Sequence, residues 1–154
     1  MSPPAARPAS TRPVLLLVGG PAGAGKSTVS AAWCRTRPQA VRIDLDDIRD
    51  LIVAGRVDPQ VLTRLQAQQY HTSVKACVAL ARVFIAGGYD VAVETVFEPD
   101  DFTRRWRPLL TGLPWHLVVL RPTLPVTLAR SRSRSKRVLE EHTRTQHAEV
   151  GRWS

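Results

Sequence analysis

The sequence predicts an α/β protein of three layers, with helices on both faces of a mostly parallel sheet of four strands, room for a fifth, and a basic lid. Three observations lead there. Short apolar runs at 14–18, 40–43, 90–94 and 115–120 alternate with longer segments of helical period. The first run, Val14-Leu15-Leu16-Leu17-Val18, carries no charge, as a strand covered on both faces requires. It opens directly onto a glycine-rich turn, after which a lysine and two hydroxyl residues begin a helix. Connections between parallel strands are right-handed, so the ligand crevice belongs at the carboxyl ends of the strands.

Taken in order, residues 1–13 read as a disordered tail, with Pro3, Pro4, Pro8 and Pro13 among small residues. Residues 14–154 then form one domain, a length ample for a single core. A helix is expected from Lys26 to Arg37, stopping before Pro38. Ala40 to Ile43 makes a short strand, and Asp44-Leu45-Asp46-Asp47-Ile48-Arg49 opens another helix, whose N-terminal dipole suits carboxylates. Gly55 and Asp58-Pro59 mark a break, with a long helix starting at Pro59 and ending at Gly87-Gly88. Asp90 to Glu94 is the third strand, Pro99 to Leu110 a helix, and Trp115 to Leu120 the fourth strand. Beyond Pro125 a helix carries Arg130, Arg132 and Arg134. A basic turn holds Lys136 and Arg137, and a last helix runs from Val138 to Val150.

The chemistry begins at Gly20. Gly20 to Ser27 satisfies the phosphate-loop pattern G-x-x-x-x-G-K-[ST] in full, between a strand and a helix. The fold class is therefore a P-loop NTPase. Gly20, Pro21, Ala22, Gly23, Ala24, Gly25, Lys26, Ser27 and Thr28 are the expected nucleotide-binding residues. Their N–H groups form an anion nest at a helix N-terminus, Lys26 reaches the terminal phosphates, and the Ser27 hydroxyl ligates Mg²⁺. ATP and Mg²⁺ are the expected cofactors.

Carboxylates follow the second and third strands. One that accepts a proton from an acceptor hydroxyl makes a kinase; one that places water makes an NTPase. Asp46 is the chosen base, and a second candidate ligand for the metal. Asp44 and Asp47 either cap the helix or bind Mg²⁺, and they stand with Arg49 and Glu94 as acceptor-side candidates. Arg49, one turn on, suits an anionic group of the acceptor. Arg130 and Arg134 share a helix face at i, i+4 and suit a lid over the triphosphate, whereas Arg132 points elsewhere. His142 and His147 lack metal-pair spacing, and the four tryptophans suit the core.

Composition narrows the partners. The net charge of +9 favours anionic ones, either nucleotide phosphates or nucleic acid. Cys34 and Cys77 stand far apart without metal or disulfide spacing, as in a reducing compartment. No signal peptide or membrane span is legible, so the cytoplasm is the expected location.

These residues resemble the P-loop kinase group that includes chloramphenicol phosphotransferase, zeta-toxin-type sugar-nucleotide kinases, gluconate and adenylylsulfate kinases, and the kinase domain of phage-type polynucleotide kinase. Ile43-Asp44-Leu45-Asp46-Asp47-Ile48-Arg49 is similar to the Asp-x-Asp-x-x-Arg and Asp-Asp-x-Arg stretches of these families, in which an aspartate is the catalytic base; Asp46 is the match. Val93-Glu94-Thr95-Val96-Phe97 is similar to a third-strand end that contacts substrate, which implies roles for Glu94 and Thr95. Arg130, Arg134 and Arg137 fall where chloramphenicol phosphotransferase has lid arginines. Typical members add a fifth strand and a helix; this sequence reaches Ser154 without them, either by truncation or in the manner of the four-stranded polynucleotide kinase domain. The resemblance implies transfer of the γ-phosphoryl group of ATP to a hydroxyl of an antibiotic, sugar or nucleotide sugar. The rivals are a 5′-hydroxyl polynucleotide kinase and a nucleotide-binding module without transfer activity.

Overall fold

The computed structural model describes residues 12–133 and 139–153. Nearly all of the expected tail lies outside them, as do Arg134, Lys136 and Arg137 of the expected lid. Four strands, β1 (Leu15–Gly19), β2 (Ala40–Asp44), β3 (Asp90–Glu94) and β4 (Trp115–Val119), form one sheet in the order β2-β3-β1-β4. Every pairing is parallel, so the sheet is not mixed, and among the described residues it has no fifth strand. β1 lies inside the sheet with every residue buried, which is why its sequence tolerates no charge.

Helices α1 (Lys26–Arg35), α2 (Leu45–Asp50), α3 (Arg64–Ala86), α4 (Pro99–Asp101), α5 (Leu124–Arg132) and α6 (Glu140–Val150) connect and cover the strands. This is the P-loop NTPase fold. Alternate strand residues divide the two faces. Leu15, Leu17, Ile43, Val91 and Val93 meet Val74, Cys77, Val78 and Ala81 of α3 together with Phe102, Trp106 and Leu110. On the opposite face α1 packs over β2 and β3, where Ser30 reaches Glu94.

The helix after the glycine turn stops at Arg35, two residues short of the expected end, and two other helices differ more from the sequence reading. The long helix starts at Arg64 rather than Pro59. Asp58 turns the chain back on itself, accepting from Val61 N through its carbonyl and from Gln60 N through Oδ1, so Pro59 sits inside that turn. Thr63 then caps α3 by accepting from Gln66 N at 3.0 Å. Gln69 pins the preceding loop from within the helix, donating to Gly55 O and accepting from Val57 N.

The helix expected over 99–110 is real but irregular: α4 passes into a π-helical stretch, Phe102–Trp106, and a 3₁₀ turn, Arg107–Leu110. Pro108 supplies no N–H to the carbonyl four residues back, so the regular ladder cannot continue there.

Aromatic residues close the core at the end of the sheet. Trp106 is fully buried and meets Phe97 edge-on with centroids 4.8 Å apart. Trp153 donates its indole N–H to Phe97 O at 2.7 Å, tying the end of α6 to the loop after β3. Both cysteines are free; burial pushes the Cys77 thiol up to about 12, which keeps it unreactive.

Candidate nucleotide and acceptor site

The turn after β1 is held from several sides. Gly20 N–H donates to Val96 O and Ala24 N–H to Pro21 O. Leu120 N–H donates to Gly19 O, which fixes the end of β4 beside it. Ala22 N–H donates to Oε1 of Gln146 on α6 at 3.0 Å. Gly23 faces α5 so closely that a Cβ there would lie 2.5 Å from Thr127 O, at a φ of +82° that favours glycine. Gly23→Ala is therefore expected to cost about 1–3 kcal/mol of stability and to weaken ATP binding. Thermal melts and ATP titration of the variant check this, and unchanged values in both would contradict it.

Lys26 opens α1, and its Nζ donates to Gly20 O at 2.8 Å and Pro21 O at 3.0 Å. The ammonium thus lies over the mouth of the loop. No acidic residue occupies the first turn of α1, so no side-chain carboxylate there competes with an anion for the helix's N-terminal dipole. Ser27 is half-buried in that turn and Thr28 is exposed. Mg²⁺ commonly takes one or two protein oxygens and completes its octahedron with phosphate and water. A serine hydroxyl at the loop and exposed carboxylates across the crevice fit that ion. No cluster of three His, Cys, Asp or Glu residues able to cage a metal occurs among the described residues.

The acidic group lies two strands away. Asp44 ends β2 directly beside Glu94 at the end of β3. Its Oδ1 accepts from Asp46 N–H at 2.9 Å, which makes it the cap of α2. Burial, aided by the nearby charges of Asp46, Glu94 and Asp47, pushes its carboxyl up to about 6. Between its ordinary 3.8 and that value the folded protein holds the proton more firmly than the unfolded chain does. Stability from this group is thus full at low pH and lost as pH rises through 6. Asn caps as well as Asp, so Asp44→Asn is expected to raise the melting temperature above pH 6 but leave it unchanged below 3.8, read by melts in EDTA. An equal shift at both pH values would contradict this.

Asp46 and Asp47 project from the first turn of α2 and are exposed, the Asp46 side chain at 70%. The only ion-pair partner of Asp46 among the described residues is Arg49, at 3.8 Å. The Arg49 side chain is mostly buried, with its guanidinium over the Tyr70 ring.

Glu94 is placed differently from its neighbours. It is buried, one carboxylate oxygen accepts from Ser30 Oγ at 3.0 Å, and the other pairs with Arg42. Thr95 is half-buried, with its N–H bonded to Val18 O. Arg130 is exposed on α5, its Cβ against the space beside Gly23. Arg132 pairs with Glu140 of α6. Arg134 and Arg137 lie outside the described residues. His147 bonds Pro122 O through Nε2. Arg42 and Gln146 escaped the sequence reading. The signal for Arg42 was a charged residue two positions before Asp44 in a strand, hence on the same face; nothing in the sequence marks Gln146.

Residues 15–152 match the family described as AAA domain. The chain belongs to the AAA domain family. The same P-loop architecture recurs in solved structures of low identity. A chain of the Pnkp1/Rnl/Hen1 RNA repair complex aligns at a TM-score of 0.67 and 16% identity, covering 96% of this chain and 47% of that one. The Deinococcus radiodurans tunicamycin resistance protein aligns at 0.67 and 17%, covering 91% and 81%. The Mycobacterium tuberculosis APS kinase CysC, solved with AMPPNP and APS, aligns at 0.64 and 17%, covering 79% and 70%. The AAA domain chain thus spans about half the length of the first of these, and at such identities the likeness is one of fold. Comparison with curated proteins finds no match. Among the described residues of this AAA domain no helix is long and apolar enough to cross a membrane.

Proposed function

We propose that this protein is an ATP- and Mg²⁺-dependent kinase that moves the γ-phosphoryl group to a hydroxyl of a small molecule such as an antibiotic, sugar or nucleotide sugar. One arrangement carries the reading. The phosphate loop with Lys26 ends β1, the exposed Asp46 follows β2, and β3 lies between them. Two strand spacings separate those ends, roughly 10 Å, which leaves room for a γ-phosphoryl group and an attacking oxygen.

In this reading the loop amides and Lys26 hold the β- and γ-phosphates, with Gly20 to Thr28 as the nucleotide-binding stretch. Ser27 and Asp46 would hold Mg²⁺, which when bound neutralises phosphate charge. Asp46 takes the proton of the acceptor hydroxyl as its oxygen bonds the γ-phosphorus and the bond to the β–γ bridging oxygen breaks, releasing ADP. Asp44 sets the start of α2, Asp47 and Thr95 border the acceptor, and Arg49 meets an anionic group on it. Glu94 was expected to touch the acceptor; with both oxygens engaged, we assign it to bracing Arg42 and Ser30. Arg130, beside Gly23 on α5, meets the triphosphate, and the other two expected lid arginines, Arg134 and Arg137, lie outside the described residues.

A 5′-hydroxyl polynucleotide kinase is the second reading, favoured by the net charge of +9 and by exposed Arg64, Lys75, Arg104 and Arg107. The deciding experiment is an acceptor screen with γ-labelled ATP over antibiotics, sugars, nucleotides and 5′-hydroxyl oligonucleotides, repeated at two salt concentrations. Label on a small molecule with little salt dependence supports the first reading. Label on oligonucleotides, with binding that weakens steeply in salt, supports the second. ATP binding with no labelled product leaves only a nucleotide-binding module.

A further inference from the structure

Tyr70 occupies an unusual position on α3. Its hydroxyl donates to Asp101 Oδ2 at 2.6 Å and accepts from the Trp106 indole N–H at 3.3 Å. Asp101 is buried and also pairs with Arg105, whose guanidinium lies 5.6 Å from the centre of the Tyr70 ring. The ring is therefore held at its polar end by a buried carboxylate and an indole, with one cation already against it. A second guanidinium, that of Arg49, lies 5.8 Å from the same ring. Arg49 in turn is the ion-pair partner of the exposed Asp46. A chain of contacts thus runs from the buried segment after β3, through Tyr70 and Arg49, to a carboxylate that is otherwise in solvent.

An exposed aspartate on the first turn of a six-residue helix has several accessible rotamers and little to choose among them. Arg49 is the group that can bias them, and a guanidinium is itself a flexible cation unless its planar head is fixed. The quadrupole of a rigid aromatic ring does that, attracting the cation over its face.

We propose that Tyr70 is a positioning residue: held by Asp101 and Trp106, its ring holds Arg49, and Arg49 orients Asp46. The inference rests on Asp46 being the base. It adds that α3 and the irregular 99–110 segment set the geometry of transfer through Arg49.

The test uses ATP with water as acceptor, together with the side-chain Nε–H resonance of Arg49, identified by its disappearance in Arg49→Lys. In Tyr70→Leu that resonance is expected to move downfield and to exchange faster with solvent. The kcat of basal ATP hydrolysis should fall about tenfold, with the KM for ATP within about twofold. In an Arg49→Ala background Tyr70→Leu should cost nothing further, because the contact is already gone. Tyr70→Phe keeps the packing and loses the anchor, so it should shift the resonance the same way by less, which serves if the leucine variant does not fold. An unmoved Arg49 resonance in either folded variant overturns the proposal, as does a rate loss fully additive to that of Arg49→Ala. A wild type that neither binds nor hydrolyses ATP would count against the kinase reading instead, and the Arg49 resonance would still decide whether Tyr70 holds it.

Discussion

Lys26→Ala is expected to lower phosphoryl transfer by about a thousandfold or more, with weaker ATP binding as well. The ammonium lies over the loop carbonyls of Gly20 and Pro21, at the N-terminal end of α1. One unit charge about 4 Å from a phosphate oxygen is worth ~4 kcal/mol at the effective dielectric of a protein surface. At ~1.4 kcal/mol per decade that is roughly three decades of rate if the contact is made in the transition state. The helix dipole and the loop amides remain, so some ATP binding survives. Single-turnover transfer of labelled phosphate and calorimetric titration of ATP measure the two effects. A rate within tenfold of wild type would mean that Lys26 serves the loop's structure and not the phosphates.

The second large effect is expected from Asp46→Asn, which should cut transfer by about 10²–10⁴-fold, the range that a positioned general base supplies. ATP affinity should stay within a few-fold, since Asp46 lies across β3 from the phosphate loop. The substitution is nearly isosteric, and the bond from the residue-46 N–H to Asp44 Oδ1 survives it, so α2 keeps its cap. Stability should hardly change, because the side chain is exposed and its contact with Arg49 is long. The informative comparison is with Asp47→Asn, also exposed on the same turn and expected to retain most of the activity. If the two variants exchange behaviour, the base is Asp47. If neither loses transfer, a carboxylate base on the first turn of α2 is excluded.

Legibility followed the distance over which each feature is determined. The phosphate loop was readable because its chemistry is contiguous: nine consecutive residues supply the turn, the cation and the hydroxyl. Asp44 and Asp46 could be placed at the carboxyl edge of the sheet because a short apolar run ends there, and parallel strands send their carboxyl ends to one side. Glu94 satisfied the same rule yet lies buried between Ser30 and Arg42. Its burial depends on the alignment of β2 with β3, which pairs Asp44 with Glu94 and brings Arg42 alongside, and that alignment joins residues about fifty positions apart. The start of α3 was misplaced for a local reason. Pro59 suits a helix's first turn, but a turn at Asp58 and a cap at Thr63 took the backbone bonds instead.

What the amino-acid order determined by itself was the fold class, the position of the phosphate loop and the strand ends that carry acid, since each follows from periodicity or from residue types in sequence. Only the tertiary structure decided which acids face solvent and which are spent within the protein, because that depends on partners drawn from other strands and helices. The same holds for Gln146 on the loop and for the Asp101–Tyr70–Arg49 chain behind Asp46. Each unites side chains distant in sequence, and burial or release of a charge is settled by such neighbours rather than by the charge itself.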